Sequence, residues 1–253
     1  MAMCGVAQKS NRTPAKRKRR GKGRGGAPLR RLFRWLWKWA RCGAVALCLI
    51  AVPLTLIPAF VAPPVTPYML TESYRLGGIR RAWVAIDDLP LHVPAAMVAA
   101  EDANFCLHWG FDMSAIRAAI ADGAGRGGST ISQQTTKNVY LWQGRSWFRK
   151  LLEAGLTPLV ELFWTKRRIL EVYLNVAEFG EGVFGIEAAA EHAFGTPAAG
   201  LSALQAARLA AVLPNPKTRS ASAPTPFVRR RARAILDGAE TIRIDGRADC
   251  FGG

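Results

Sequence analysis

The chain has 253 residues, with 35 Lys and Arg against 18 Asp and Glu, and 50% of its residues are hydrophobic. That is long enough for one sizeable domain with an appendage and too apolar for a disordered chain. The net charge of +17 belongs to one end: 14 basic and no acidic residues fall in 1–41, leaving 21 basic against 18 acidic beyond them, so a nucleic-acid-binding main domain loses its chief support.

Residues 1–28 are rich in Lys, Arg, Gly and Pro, have nothing to bury and read as disordered. In residues 30–41, Arg31, Arg34, Lys38 and Arg41 alternate with Phe33, Trp35, Trp37 and Trp39, a mixture suited to a lipid headgroup layer. From Gly43 to Ala62 there is no charged residue. A helix of that length, at about 1.5 Å per residue, spans the hydrocarbon core of roughly 30 Å. The expected layout is a basic cytoplasmic tail and juxtamembrane segment over 1–41, a transmembrane anchor over 42–62, a folded domain over 63–222 and a loosely attached C-terminal tail over 223–253. The positive charge before the apolar stretch places the N-terminus in the cytoplasm and the domain outside. A cleaved signal peptide is the rival, opposed by the long lead and the absence of a small-x-small site before Pro63.

Beyond residue 70 the apolar periodicity is helical. It predicts helices over 94–103, 112–122, 130–141, 146–162, 166–176, 185–194 and 202–213, with one strand candidate near 80–86. The spacers at 123–128, 179–185 and 214–226 are rich in Gly or Pro, and the domain is expected to be mainly α. Cys4, Cys42, Cys48, Cys106 and Cys250 show no CxxC pattern and His92, His108 and His192 no ligand spacing, so zinc is set aside. Whether Cys106 and Cys250 pair in an oxidising compartment is left open by spacing alone.

Four segments could carry chemistry. In AAEDANFCLHWGFD, Glu101 and Asp102 end an Ala-rich helix. Adjacent helical residues point about 100° apart, so the two carboxylates cannot share one task. A lone acid at such an end suits acid–base work if desolvated, and equally marks an ordinary solvated terminus. In GRGGSTISQQTTKN, glycines lead into Thr130, which with Gln133 forms a capping box, while Gln133, Gln134 and Lys137 share a helix face. A glycine turn feeding a helix, with a lysine further in, favours an oxyanion; a capped helix with a solvated lysine is the plainer alternative. In RSWFRKLLEAGL, Arg149, Lys150 and Glu153 lie on one face, as surface salt bridges do and as a phosphate cradle would. In the stretch 165–195, Ile169, Leu170, Tyr173 and Leu174 repeat with core spacing, and Glu171, Asn175 and Glu178 read as structural.

Taken in order and spacing, ED-x-x-F-x-x-H-x-G, GGSTI-x-QQ-x-x-K-N, RK-x-x-E, K-x-x-ILE-x-YLN and GIEAAA…FG resemble the peptidoglycan glycosyltransferases over roughly residues 68–216. The chain is most similar to the monofunctional biosynthetic transglycosylases, which pair one N-terminal anchor with one catalytic domain. Neither S-x-x-K nor K-T-G occurs, which sets the bifunctional arrangement aside. The resemblance implies a lysozyme-like, mainly α, bilobal domain in the bacterial inner membrane, facing the periplasm. It implies lipid II and the lipid-linked glycan chain as substrates, joined by an inverting transfer to a β-1,4 link.

By resemblance Glu101 is the general base and Glu153 the second acid, assisting at the pyrophosphate. Lys137, Arg149 and Lys150 would contact the pyrophosphate. Ser129, Thr130, Gln134 and Asn138 would line the donor cleft, and Asp102, Phe105 and His108 would form the shell around the base. No cofactor is required, with a divalent cation, Mg or Mn, as an option at the pyrophosphate. Anionic lipids at the basic tail and other cell-wall proteins are the further partners, with no nucleic acid expected at the domain. Gly155 and Pro158, after Glu153, are expected to kink that helix. Two other readings stay in view: a lytic enzyme of the same fold, which would not need the three cations, and a non-catalytic wall scaffold.

Overall fold

The computed structural model describes residues 27–121, 128–144 and 146–252. Residues 1–26 of the stretch 1–28 expected to be disordered, and most of the glycine turn at 123–128, lie outside the described residues. Residues from Leu49 onward form one compact unit, and the earlier part of the first helix belongs to another.

Helix α1 (Ala27–Phe60) runs unbroken through Pro53 and Pro58 and is long and apolar enough to cross a membrane. Phe33, Trp35, Trp37 and Trp39 on it are exposed. Near its end the carbonyls of Thr55 and Pro58 accept hydrogen bonds from Trp164 Nε1 (2.6 Å) and from Arg168 Nε and Nη2 (3.1 and 3.0 Å). The carbonyl of Pro58, in the last turn of the helix, has no partner within it, and Arg168 satisfies it.

After α2 (Pro67–Leu76) comes a short strand, β1 (Arg80–Arg81), and then the seven helices the periodicity predicts: α3 (His92–Glu101), α4 (Met113–Ala121), α5 (Ile131–Tyr140), α6 (Trp147–Phe163), α7 (Lys166–Val176), α8 (Ile186–Phe194) and α9 (Ala203–Val212). Strands β2 (Glu178–Gly180) and β3 (Val183–Phe184) complete a three-stranded sheet of order β1-β3-β2, with β1 parallel and β2 antiparallel to β3. The strand expected over 80–86 pairs only at Arg80–Val183 and Arg81–Phe184. Further along, the Asn175 side chain takes the place of a neighbouring strand: Val84 N donates to Asn175 Oδ1 and Asn175 Nδ2 to Val84 O, both at 2.9 Å.

Two helix groups organise the core. One is α3, α9 and α10 (Pro226–Ile244); the other is α5, α6 and α7. Helix α3 is buried along Val93–Val98 because α9 and α10 both pack on it. The expectation of a loose tail from residue 223 is corrected here. In α10, Val228, Ala232, Ile235, Ala239 and Ile242 recur at alternating spacings of four and three and are all buried. Beyond it, α11 (Asp249–Gly252) is joined to the loop after α3 by a Cys106–Cys250 disulfide. The interruption expected in α6 after Glu153 is not a break: one helix runs from Trp147 to Phe163 with Pro158 inside it. Thr157 Oγ1 donates to the carbonyl of Glu153 at 2.7 Å, and Thr157 and Val160 are buried, so packing holds the helix through the proline.

Candidate active site

The site begins where α3 stops. Glu101 is the last residue of α3, its side chain 13% exposed, and Gln134 Nε2 donates to its Oε2 at 2.9 Å. Burial pushes the Glu101 carboxyl above its ordinary range, against the pull of Gln134, Arg231 and Lys137. The C-terminal end of a helix carries partial negative charge, which acts in the same upward sense.

The next residue turns away, as the 100° step between neighbours requires. Asp102 Oδ2 accepts from the backbone N–H of Ile131 at 3.0 Å, and His108 Nε2 lies 3.0 Å from both Asp102 oxygens. Asp102 thus ties the end of α3 to the start of α5, where the first N–H groups of a helix need acceptors. The resemblance placed Asp102, Phe105 and His108 around the base. The structure makes them its foundation: Phe105 is fully buried, its ring under the Lys166 ammonium at 4.5 Å, and the His108 side chain is buried on Asp102. Gly110, at φ 84°, closes this loop, and a Cβ there would stand 2.8 Å from Thr157 Cγ2.

Thr130 and Gln133 form the expected capping box at the start of α5. Thr130 Oγ1 also donates to Gly110 O at 2.7 Å, so Thr130 is buried and committed to structure instead of lining a cleft. One turn beyond Gln134, Lys137 is mostly buried. Burial lowers its affinity for a proton; Glu153 and Glu101 oppose that change, while Arg149 and Lys150 reinforce it. Lys137 therefore feels the charges of both Glu101 and the α6 cluster.

Helix α6 opens with Ser146, whose Oγ accepts from Arg149 N at 3.4 Å. Two cations in a first helical turn oppose the helix dipole and need an acid nearby. Glu153, only 2% exposed, supplies it: Arg149 Nη1 donates to Oε2 at 2.6 Å and Lys150 Nζ to Oε1. Lys150 Nζ also reaches Ser129 Oγ at 3.2 Å, linking α6 to the turn before α5. Each oxygen of Glu153 is thus paired with one cation. Among the described residues no cluster of three His, Cys, Asp or Glu side chains stands ready for a metal ion.

A cavity of about 250 Å³ opens beside this row. Gln134, Lys137 and Asn138 form one wall, Tyr68, Tyr173 and Glu178 a second, and Pro214–Lys217 a third. Glu101 is not on its wall and meets it through Gln134, while Arg149 and Lys150 border a separate opening at the start of α6. Tyr68, Glu178 and Lys217 were not anticipated as site residues. Tyr68 donates to Glu178 Oε2, Gly182 N to Glu178 Oε1 at 3.0 Å, and Lys217 Nζ to Glu72 at 2.9 Å. Glu171 and Asn175 are structural, as their spacing indicated: Arg168 pairs with the first, and the second binds Val84. No spacing signal marks Tyr68 or Lys217, because each lies outside the regular repeats and only the fold brings them in.

These features place the chain among mainly helical enzymes with a carboxylate facing a row of cations. The sequence pattern of the transglycosylase family matches residues 70–240, and the chain belongs to that family, whose fold is lysozyme-like. It is 57% identical over 237 residues to a protein of Jannaschia sp. named biosynthetic peptidoglycan transglycosylase, covering 94% of this chain and 99% of that one. Proteins of the same name from Rhodospirillum centenum and Yersinia pestis (strain Pestoides F) are 49% identical over 210 residues and 46% identical over 220. They cover 81% and 82% of this chain and 91% of each relative.

Proposed function

We propose that the chain is a membrane-anchored peptidoglycan glycan-chain polymerase. It transfers the growing lipid-linked glycan onto the 4-hydroxyl of lipid II and releases undecaprenyl pyrophosphate. The observation that carries this reading is helix α5 between two sites: Gln134, one turn before Lys137, holds Glu101, while Ser129 at the turn before α5 meets Lys150 of the Arg149–Lys150–Glu153 cluster. A base and a leaving-group cradle joined through one helix are what a displacement of pyrophosphate by a sugar hydroxyl requires.

Ionised Glu101 takes the proton of the acceptor 4-hydroxyl as that oxygen attacks the anomeric carbon of the donor. The bond from that carbon to the pyrophosphate oxygen breaks, its electron pair leaves with the pyrophosphate, and attack from the opposite face inverts the centre to a β-1,4 link. The negative charge that grows on the departing oxygens is met by Lys137, Arg149 and Lys150. Fixed cations in a water-poor site do this without reorganising. Gln134 orients the base, and Glu153 holds the two α6 cations in place between turnovers.

Helix α1 anchors the enzyme in the inner membrane with its basic end in the cytoplasm, beside anionic lipid, and its domain in the periplasm. A lipid-borne substrate is best met by an enzyme confined to the same bilayer, through raised effective concentration. The cations count against the lytic reading, in which no pyrophosphate departs. Incubating the detergent-solubilised chain with lipid II tests the proposal. Glycan polymer with released undecaprenyl pyrophosphate is expected; shortening of added glycan, or no product, contradicts it.

A further inference from the structure

The carboxylate of Glu101 is approached from a side that none of the matched motifs supplies. Helix α10 packs on α3, and from it Arg231 reaches back to the end of α3. Its Nη2 lies 3.9 Å from Glu101 Oε1 and 3.4 Å from the carbonyl of Ala100. The two oxygens of Glu101 are not alike. Oε2 accepts from Gln134, whereas Oε1 is buried and accepts no hydrogen bond from any described residue; Arg231 Nε is buried and unpartnered in the same way.

A separation of 3.9 Å is too long for a hydrogen bond and short for an ion pair screened from water. A closed salt bridge would occupy the oxygen that must receive a proton. No cation at all would leave a buried carboxyl at a helix C-terminus, where the neutral form wins.

We propose that Arg231 is a positioning residue for the reaction: its charge keeps Glu101 ionised, while its stand-off distance leaves Oε1 open to take the acceptor's proton. The C-terminal segment is thus part of the active site. The Cys106–Cys250 disulfide, together with the hydrogen bond from Arg247 Nη1 to Ala103 O at 3.3 Å, holds that segment against the loop after α3. This inference rests on the reading of Glu101 as the base.

The groups that face Glu101 are Gln134 and Lys137 from α5, Tyr173 from α7, its neighbour Asp102, and Arg231 from α10. Helix α9 carries one charged residue, Arg208, which exerts no comparable pull. Burial raises the carboxyl, and Gln134, Arg231 and Lys137 lower it. With Arg231 gone, Lys137 is the one cation left among these groups.

The test is kcat/KM against pH for full-length, detergent-solubilised enzyme on lipid II, comparing the wild type with Arg231→Met, Arg231→Gln, Arg231→Lys, Arg243→Met and Glu101→Gln. Arg231→Met and Arg231→Gln are expected to move the acidic limb up by about 1 pH unit. They should turn over about tenfold more slowly below both midpoints and rejoin the wild type on the plateau. Arg231→Lys keeps the charge and is expected to restore the wild-type midpoint. Arg243→Met, on the same helix but paired with Glu240 away from the carboxylate, leaves the limb where it is.

An acidic limb that overlays the wild type's in Arg231→Met or Arg231→Gln overturns the proposal. So does a folded neutral variant that is dead at every pH, or a set in which only Arg231→Lys folds, since Arg231 would then be structural. Turnover by Glu101→Gln would instead remove the base reading itself, so the two failures are told apart.

Discussion

Lys137 is where the two helix groups of the molecule meet chemically. It sits one turn beyond the residue that holds the base and is flanked by the cations that would hold the leaving group. Lys137→Met is expected to lower kcat on saturating lipid II by about 10²–10³-fold, the scale of losing one preorganised donor to a developing oxyanion. A loss under about threefold in a normally folded variant would contradict the cradle.

The pH dependence follows from the same two residues. The proposed base, Glu101, would work only when ionised, and burial has raised its carboxyl, so activity should fall on acidification at a pH above the ordinary glutamate value of about 4.3. Lys137 serves only when charged, and burial makes it lose its proton early, so the alkaline limb should lie below the ordinary lysine value of about 10.4. A pH–kcat/KM profile reads both limbs. At this scale the sequence motifs do not give the direction of each side chain. Phe105 and Thr130 lie within the motifs yet face inward, while Arg231 lies in none and faces the base.

Among the elements, seven helices between residues 92 and 212 were legible because most carry an apolar stripe at helical spacing, α3 is apolar nearly all round, and most have a capping residue at the start. Helix α10 carries an equally regular stripe. Its polar face, with Arg229, Arg230, Arg231 and Arg233, and the Pro- and Ser-rich stretch before it make the segment read as a solvated tail. The short strands were mostly illegible, since two or three paired residues leave no period-two pattern, and Asn175 stands in for a strand partner that sequence cannot show.

The disulfide was undecided in the sequence for a related reason. It joins cysteines 144 positions apart, which only the docking of α10 brings within bonding distance. Replacing Cys106 and Cys250 together by Ser should destabilise the domain by about 2–5 kcal/mol, read as a lower thermal midpoint against the oxidised protein. An unchanged midpoint would mean that the packing of α10 alone holds the segment.

For the whole molecule, the division of charge along the chain was the most informative compositional fact. It separates a basic, aromatic and apolar leader from a nearly neutral catalytic domain. Family membership was legible from the order and spacing of five motifs. The extent of the domain was not, since the match continues to residue 240, through the helix that delivers Arg231.

The central claim is that one buried carboxylate, poised beside a row of cations, drives the joining of sugars as pyrophosphate departs. The most direct test is glycan synthesis from lipid II by the full chain, wild type against Glu101→Gln, with thermal unfolding of both. The account predicts polymer from the wild type, none above background from Glu101→Gln, and matching unfolding midpoints. Near-normal polymer from a folded Glu101→Gln protein would contradict it.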